Sequence, residues 1–235
     1  MSTLYLVRHG QAAFGADDYD VLSPLGTAQG SALGAYWARW GVQLDAIYVG
    51  PRRRHEATAA ALLAGLTADS RPPPPLLPLP SWDEFDFGAV LAGARPTLET
   101  EYQKLKQELD GVDPLRHRRS FDRLFNLATS SWARGELDEH VPESFAAFQA
   151  RVRGGLHTVM QEQGRGKTVA VVTSAGPISV ALQAAIGVSN EVTLRLCATM
   201  ANTAVSELRY RSDSLSMLSF NSTPHLPEPS LLTHR

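Results

Sequence analysis

Val169-Ala170-Val171-Val172-Thr173-Ser174-Ala175-Gly176-Pro177, residues 169–177, is the stretch from which the fold is read. Four apolar, mostly β-branched residues followed by hydroxyl and small residues and then a proline describe a buried strand running into a helix N-terminus. The helix extends to about Ile186. The uncharged run from Thr168 to Asn190 is long enough to test as a membrane span. It carries Thr173, Ser174, Gly176, Pro177, Ser179 and Gln183 in its middle, which suits strand–turn–helix and not a spanning helix.

The same texture recurs on either side. Leu4-Tyr5-Leu6-Val7 is a short apolar run that stops at Arg8-His9-Gly10, and Asp45-Ala46-Ile47-Tyr48-Val49 is another, ended by Gly50-Pro51. Between them, Ser23 is an N-cap with Pro24 at the first helical position, and the helix it starts runs to near Gly41. Ala57 to Leu66 is alanine-rich and helical. Four prolines at 72–75 make a stiff extended connector. Leu79 to Phe87 reads as an irregular strand or loop, and 96–141, polar and charged with no apolar strand, as a helical insertion. Glu143 to about Glu162 is a further helix. Ala204–Tyr210 and Leu215–Phe220 form a hairpin, and the proline-rich residues 222–235 read as a loose tail.

Strands alternating with helices imply a single α/β domain over residues 1–235. Its architecture is three-layer: a mostly parallel central sheet, helices on both faces, and the helical insertion over the C-terminal strand edge. Ligands bind at that edge in such sheets. There the topology gathers Arg8 and His9, the arginines at 52–54 with His55, the acids Asp83, Glu84 and Asp86, and Thr173-Ser174 before a helix N-terminus.

Composition narrows the functional classes. The 235 residues are 43% hydrophobic with a formal net charge of -2, so nothing global favours nucleic acid or a membrane surface. Cys197 is the one cysteine, which excludes an intrachain disulfide and a multi-cysteine metal site. No HExxH, close histidine pair, Walker A or GxGxxG pattern occurs, so no metal and no cofactor are expected. No secretory signal is visible, and a cytoplasmic location is the expectation. No pattern sets the oligomeric state; a homodimer is the default on general grounds.

Arginines beside a helix N-terminus make an anion site, because the guanidinium fork matches phosphate oxygens and free backbone N–H groups add donors. A histidine there can shuttle protons or take the phosphoryl group itself, and a nearby carboxylic acid can protonate a leaving oxygen. The expected partner is a small phosphorylated molecule or phosphate. Of the three consecutive arginines, Arg54 is expected to face the site. Arg116, His117, Arg118, Arg119 and Arg123 form a basic cluster in the insertion, either a solvated face or a lid that helps recognise an anionic substrate. Trp40, Trp82 and Trp132 are read as packing residues and Cys197 as a small apolar one.

Leu6-Val7-Arg8-His9-Gly10-Gln11 resembles the signature of the histidine phosphatase superfamily, the phosphoglycerate-mutase-like proteins. Leu22-Ser23-Pro24-Leu25-Gly26 with Gln29, Gly50-Pro51 through Arg54 to Thr58-Ala59, Glu84-Phe85-Asp86-Phe87-Gly88, Pro142-Glu143-Ser144-Phe145 through Arg151-Val152, and Asn202 through Glu207-Leu208 extend the resemblance in order along the chain. It implies a phosphomonoesterase in which His9 is the nucleophile that forms a phosphohistidine. Arg8 and Arg54 bind the phosphoryl group with Gln11 and Ser174, and Glu84 is the proton donor, with Asp83 and Asp86 as competitors for that role.

The sequence also departs from the pattern. Ser174 stands where the family has its second histidine, Ala175 where a glycine follows, Ala12 where a threonine is usual and Gly15 where an asparagine is frequent. A serine hydroxyl is a neutral donor. Losing a charge-assisted hydrogen bond is worth about 1.5–3 kcal/mol, or roughly 10- to 200-fold in rate if the bond strengthens only in the transition state. Ser174 therefore motivates an alternative, a phospho-ligand-binding protein of the same fold with little turnover. A phosphoglycerate mutase fits less well, because it must hold its phosphoryl group against water. His55 cannot be assigned as a substitute from sequence.

Overall fold

The computed structural model describes residues 1–13, 20–66, 72–109, 114–212 and 214–234. Six strands form one sheet in the order β3-β2-β4-β1-β5-β6. They are β1 (Ser2–Arg8), β2 (Ala46–Val49), β3 (Leu76–Pro78), β4 (Thr168–Thr173), β5 (Val205–Tyr210) and β6 (Leu215–Ser222). Neighbours from β3 to β1 pair in parallel, whereas β5 and β6 continue the sheet antiparallel. The α/β, mostly parallel sheet expected from the sequence is the one observed.

Side-chain alternation along the strands divides the core into two layers. Leu4, Leu6, Tyr48, Val169 and Val171 face one apolar cluster, completed by α5 (Phe145–Gln163) and α6 (Ala175–Ile186). Val7, Ile47, Val49, Ala170 and Val172 face the other, with Leu33 and Trp37 of α1 (Pro24–Arg39) and Ala59 and Leu62 of α2 (Arg53–Leu66). The uncharged run from Thr168 is split between β4 and α6, and no helix among the described residues is long and apolar enough to cross a membrane.

α1 and α2 cross closely because small residues meet there. A Cβ on Gly34 would lie 2.1 Å from the Leu62 carbonyl oxygen, and one on Gly65 2.3 Å from that of Ser31.

Four boundaries differ from the sequence reading. The helical insertion begins at Phe87, not near 96: α3 (Phe87–Leu109) starts where Asp86 Oδ1 accepts from Ala89 N at 3.0 Å, and it passes through Pro96 with a kink at Leu98. It is followed by α4 (Pro114–Ala133) and turns. A short α7 (Asn190–Thr199), started by Ser189 accepting from Val192 N, was not anticipated, since Thr193 is its one buried residue and leaves no apolar stripe to read. The strand near the prolines is β3 at 76–78, ahead of the 79–87 segment assigned to it.

The fourth difference is the C-terminal segment, which is docked and not loose. His225 and Leu226 are buried, Asn202 N donates to Thr233 O at 2.7 Å, and Gln29 Nε2 donates to Leu231 O and Thr233 Oγ1 at 2.7 and 2.9 Å. Side-chain amides on α1 and before β5 hold a segment whose prolines withhold backbone donors. Trp82 and Trp132 are fully buried as expected, but Trp40 is 69% exposed. Cys197 is partly buried and packs against the first cluster, in keeping with its reading as apolar.

The α1–α2 crossing yields a test whose sign separates two effects. Helix propensity alone makes Gly34→Ala stabilising by about 1 kcal/mol. Backbone contact makes it destabilising by about 1–3 kcal/mol. We expect destabilisation, read as a lower urea midpoint at unchanged slope; a raised midpoint would rule the close crossing out.

Candidate active site

The parallel ladder brings the key residues side by side. His9 N donates to Thr173 O at 2.8 Å and Gly50 N to Val172 O at 3.0 Å, so the ends of β1, β4 and β2 open onto one edge. His9 is 4% exposed, Arg54 7%, His55 0% and Ser174 1%. Gly10 passes the start of α1 so closely that a Cβ there would lie 2.3 Å from the Gly26 carbonyl oxygen. Thr58 Oγ1 accepts from Gly10 N at 2.9 Å and donates to Arg54 O at 2.7 Å, tying the His9 and Arg54 segments together. On the opposite side, Asn202 Nδ2 and Thr203 N both donate to His9 O.

His9 Nδ1 is 2.7 Å from the Gly10 carbonyl oxygen. A carbonyl can only accept, so Nδ1 carries the proton and Nε2 keeps its lone pair. Burial, with the nearby charges of Arg8 and Arg54 and the ring of His55, holds His9 well below the usual histidine range and therefore neutral. The His9 and His55 ring centroids are 5.7 Å apart.

The three candidate acids separate cleanly. Asp83 pairs with Arg52 at 2.5 Å, and Asp86 caps α3. Glu84 points inward: Oε1 accepts from Phe85 N at 3.1 Å and Oε2 from Gly176 N at 3.2 Å. Burial raises its carboxyl above the usual range, against the pull of those two N–H groups and of Arg54 and Arg8. Gly176 leaves room for it, since a Cβ there would lie 2.0 Å from Oε1. The segment bearing Glu84 is latched by Arg151, which donates to Ser81 O and Asp83 O while paired with Glu143. The likeness at 142–152 thus has a structural purpose.

Among the arginines, Arg54 enters the site and Arg53 is exposed, while Arg52 is held by Asp83. Arg54 pairs with Asp20 at 2.7 Å through one terminal nitrogen, and the other donates to Ser174 Oγ at 3.4 Å. Arg8 donates to the carbonyls of Met200 and His234. The Gln11 side-chain carbonyl is taken by the Ser23 hydroxyl at 2.8 Å, so its amide N–H groups are what it can offer a ligand. Ser174 precedes α6 but its side chain makes no cap; its Oγ instead lies 2.7 Å from His55 Nε2.

Asp20, which also accepts from Arg53 N at 2.9 Å, was missed in the sequence. Nothing in its surroundings there distinguishes an acid that aims an arginine from a surface charge. Gly15 and the side chains of Arg116, His117, Arg118 and Arg119 lie outside the described residues. Arg123 is exposed and pairs with Glu101 at 3.2 Å.

The family model of the histidine phosphatase superfamily (branch 1) matches residues 4–223. The chain belongs to that superfamily. No curated protein matches it in sequence. Among solved structures, YhfR of Bacillus stearothermophilus superposes with a TM-score of 0.65 at 17% identity, covering 96% of this chain and 100% of the other. A phosphoserine phosphatase from Entamoeba histolytica gives 0.61 at 19% identity, over 96% of this chain and 100% of that one. A putative α-ribazole-5′-P phosphatase from Escherichia coli gives 0.63 at 18%, over 94% and 97%. These likenesses establish the histidine phosphatase fold.

The buried histidines make stability depend on pH. His9 and His55 are depressed well below the usual value, and His225 is pushed down to about 4 by burial. Between about pH 6.5 and its folded pKa, each binds a proton in the unfolded chain but not in the native one. Stability is therefore full above about pH 6.5 and falls on acidification, by up to about 1.4 kcal/mol per pH unit per histidine. Glu84 acts in the opposite sense: its raised carboxyl costs stability as pH rises from about 4.3 through its folded pKa. Urea denaturation from pH 8 to pH 5 should show the loss, and His225→Gln should remove about one proton from the slope. A flat profile would exclude buried neutral histidines.

Proposed function

We propose that this member of the histidine phosphatase superfamily hydrolyses the phosphomonoester of a small phosphorylated molecule through a phosphohistidine at His9, without a metal ion. The observation that carries the reading is the 2.7 Å contact between His9 Nδ1 and Gly10 O, which leaves Nε2 unprotonated among two arginines.

In the first step the Nε2 lone pair attacks phosphorus, the bond to the leaving oxygen breaks, and the protonated Glu84 carboxyl donates its proton to that oxygen. Burial keeps such a proton available at higher pH than for an exposed acid. Arg8 and Arg54 offset the charge on the equatorial oxygens, with Ser174 and the Gln11 amide as further donors. In the second step Glu84, now a carboxylate, takes a proton from water as the water oxygen bonds to phosphorus and the N–P bond breaks, releasing inorganic phosphate and restoring neutral His9.

His9→Ala should abolish turnover of p-nitrophenyl phosphate while leaving the fold intact, and chelator should not affect the wild type. Glu84→Gln should lower kcat by about 10²–10⁴-fold on an alkyl phosphate, whose alkoxide needs the proton, and much less on an aryl phosphate. A His9→Ala variant as active as wild type would sink the reading. A folded wild type that binds phosphate but turns nothing over would shift it to a phospho-ligand-binding protein.

A further inference from the structure

Residues 231–234 dock on the two side chains that hold the backbone around His9. Gln29 and Asn202 are both fully buried, and each faces two ways. Gln29 Oε1 accepts from Gln11 N at 2.9 Å, and Asn202 Nδ2 donates to His9 O at 3.2 Å. These bonds stand on either side of Gly10, whose carbonyl receives the proton of His9 Nδ1. A backbone N–H only donates and a carbonyl only accepts, so the far ends of both amides are settled as well. Gln29 presents its N–H groups there and Asn202 its oxygen.

Thr233 Oγ1 lies between those far ends. It accepts from Gln29 Nε2 and donates to Asn202 Oδ1, each at 2.9 Å. A single atom that accepts and donates is what the two amides require, and a hydroxyl supplies it. The second N–H of Gln29 goes to Leu231 O at 2.7 Å. The main chain of Thr233 adds a further bond, its carbonyl accepting from Asn202 N at 2.7 Å. That bond clasps a strained turn. Thr203 has a φ of 55°, a left-handed conformation that β-branched residues rarely adopt, and its N–H donates to His9 O at 3.3 Å. Strain of this kind persists where the surroundings hold it. One residue further on, His234 O accepts from Arg8 at 3.0 Å.

We propose that Thr233 is a positioning residue for the nucleophile. Its hydroxyl locks the Gln29 and Asn202 amides, the amides fix the backbone on both sides of Gly10, and that backbone keeps the proton on His9 Nδ1 and the lone pair on Nε2. Removing the hydroxyl leaves a buried N–H and a buried carbonyl oxygen unpaired together. Rotating either amide gives no relief without cost, since it sets donor against donor at Gln11 N or acceptor against acceptor at His9 O. The disturbance therefore passes to the nucleophile. The proposal rests on the reading of His9 as nucleophile.

The test uses the full chain labelled with 15N-histidine, as wild type, Thr233→Val and Thr233→Ser. The ring nitrogens of His9, assigned by their absence from His9→Ala, report its tautomer, and kcat is measured on p-nitrophenyl phosphate. The wild type should carry its proton on Nδ1. Thr233→Val should show a mixture of tautomers and a kcat lower by about 10- to 100-fold. Thr233→Ser keeps the hydroxyl and should restore both readouts. Wild-type ring signals or wild-type kcat in a folded Thr233→Val, even with its urea midpoint lowered, would reduce Thr233 to a structural clasp and overturn the proposal. So would a Thr233→Ser as impaired as Thr233→Val. If Thr233→Val does not fold, Thr233→Cys, whose thiol is a weak donor and acceptor, is judged by the same criteria. A wild-type proton on Nε2 overturns the reading of His9 and the role of Thr233 together. A wild type without turnover overturns the proposed reaction, and the ring signals then decide on Thr233 alone.

Discussion

The site depends on a backbone crossing. Gly10 runs against Gly26 with no room for a Cβ on either residue, and its N–H is held by Thr58 Oγ1. Gln11 N, in the same peptide unit as the Gly10 carbonyl, donates to Gln29 Oε1 at 2.9 Å and so fixes the direction of that carbonyl, and the carbonyl in turn fixes the proton on His9 Nδ1. A histidine ring is nucleophilic only at the nitrogen without a proton, so the free lone pair at Nε2 is set by a main-chain oxygen whose position follows from two glycines, one threonine and one glutamine. Without the crossing the ring could take either tautomer. The glycine of the Arg8-His9-Gly10 sequence is a steric requirement.

Electrostatics in the pocket follow from burial. Arg54 is 7% exposed and its charge is partly balanced by Asp20, which occupies one terminal nitrogen. The adjacent titratable groups respond by losing charge: His9 and His55 are neutral, and Glu84 is shifted toward its protonated form. The pocket's positive charge therefore comes from its arginines, while His9 is neutral and Glu84 is shifted toward its neutral form, an arrangement that favours an incoming anion. The cost appears in stability, since groups kept neutral against their intrinsic preference draw protons on or off when the chain unfolds.

The sheet, its two helical layers and the edge that carries the site were legible because apolar runs, caps and glycine stops are local signals. So was the expectation that Arg54, of three arginines, turns inward, whereas Glu84 was left open against Asp83 and Asp86. The three acids are told apart by partners remote in sequence: Arg52 for Asp83, the start of α3 for Asp86, and the backbone of Gly176 for Glu84. α7 escaped because only Thr193 is fully buried in it while Leu194, Leu196 and Cys197 are partly buried, and the ordered C-terminal segment because its anchors are Gln29, Asn202 and Arg8, which look polar and ordinary along the chain. Asp20 was hidden for the same reason. Each is defined by a contact across the fold, and periodicity carries no record of such contacts.

Ser174 shows how little a position along the chain says of its surroundings. The resemblance in sequence implies a hydroxyl where the family has its second histidine, with a weaker donor as the expectation. In three dimensions the imidazole is still present at that corner of the site, supplied by α2 and joined to Ser174 by a 2.7 Å contact. Two features bring the ring there: a glycine at 50, where a Cβ would fall 2.5 Å from His55 Nδ1, and a helix start that buries residue 55 next to Arg54. Motif readings assign chemistry to a position along the strand, but a phosphoryl oxygen meets only the group that arrives at its surface. Which element delivered that group is immaterial to the bond.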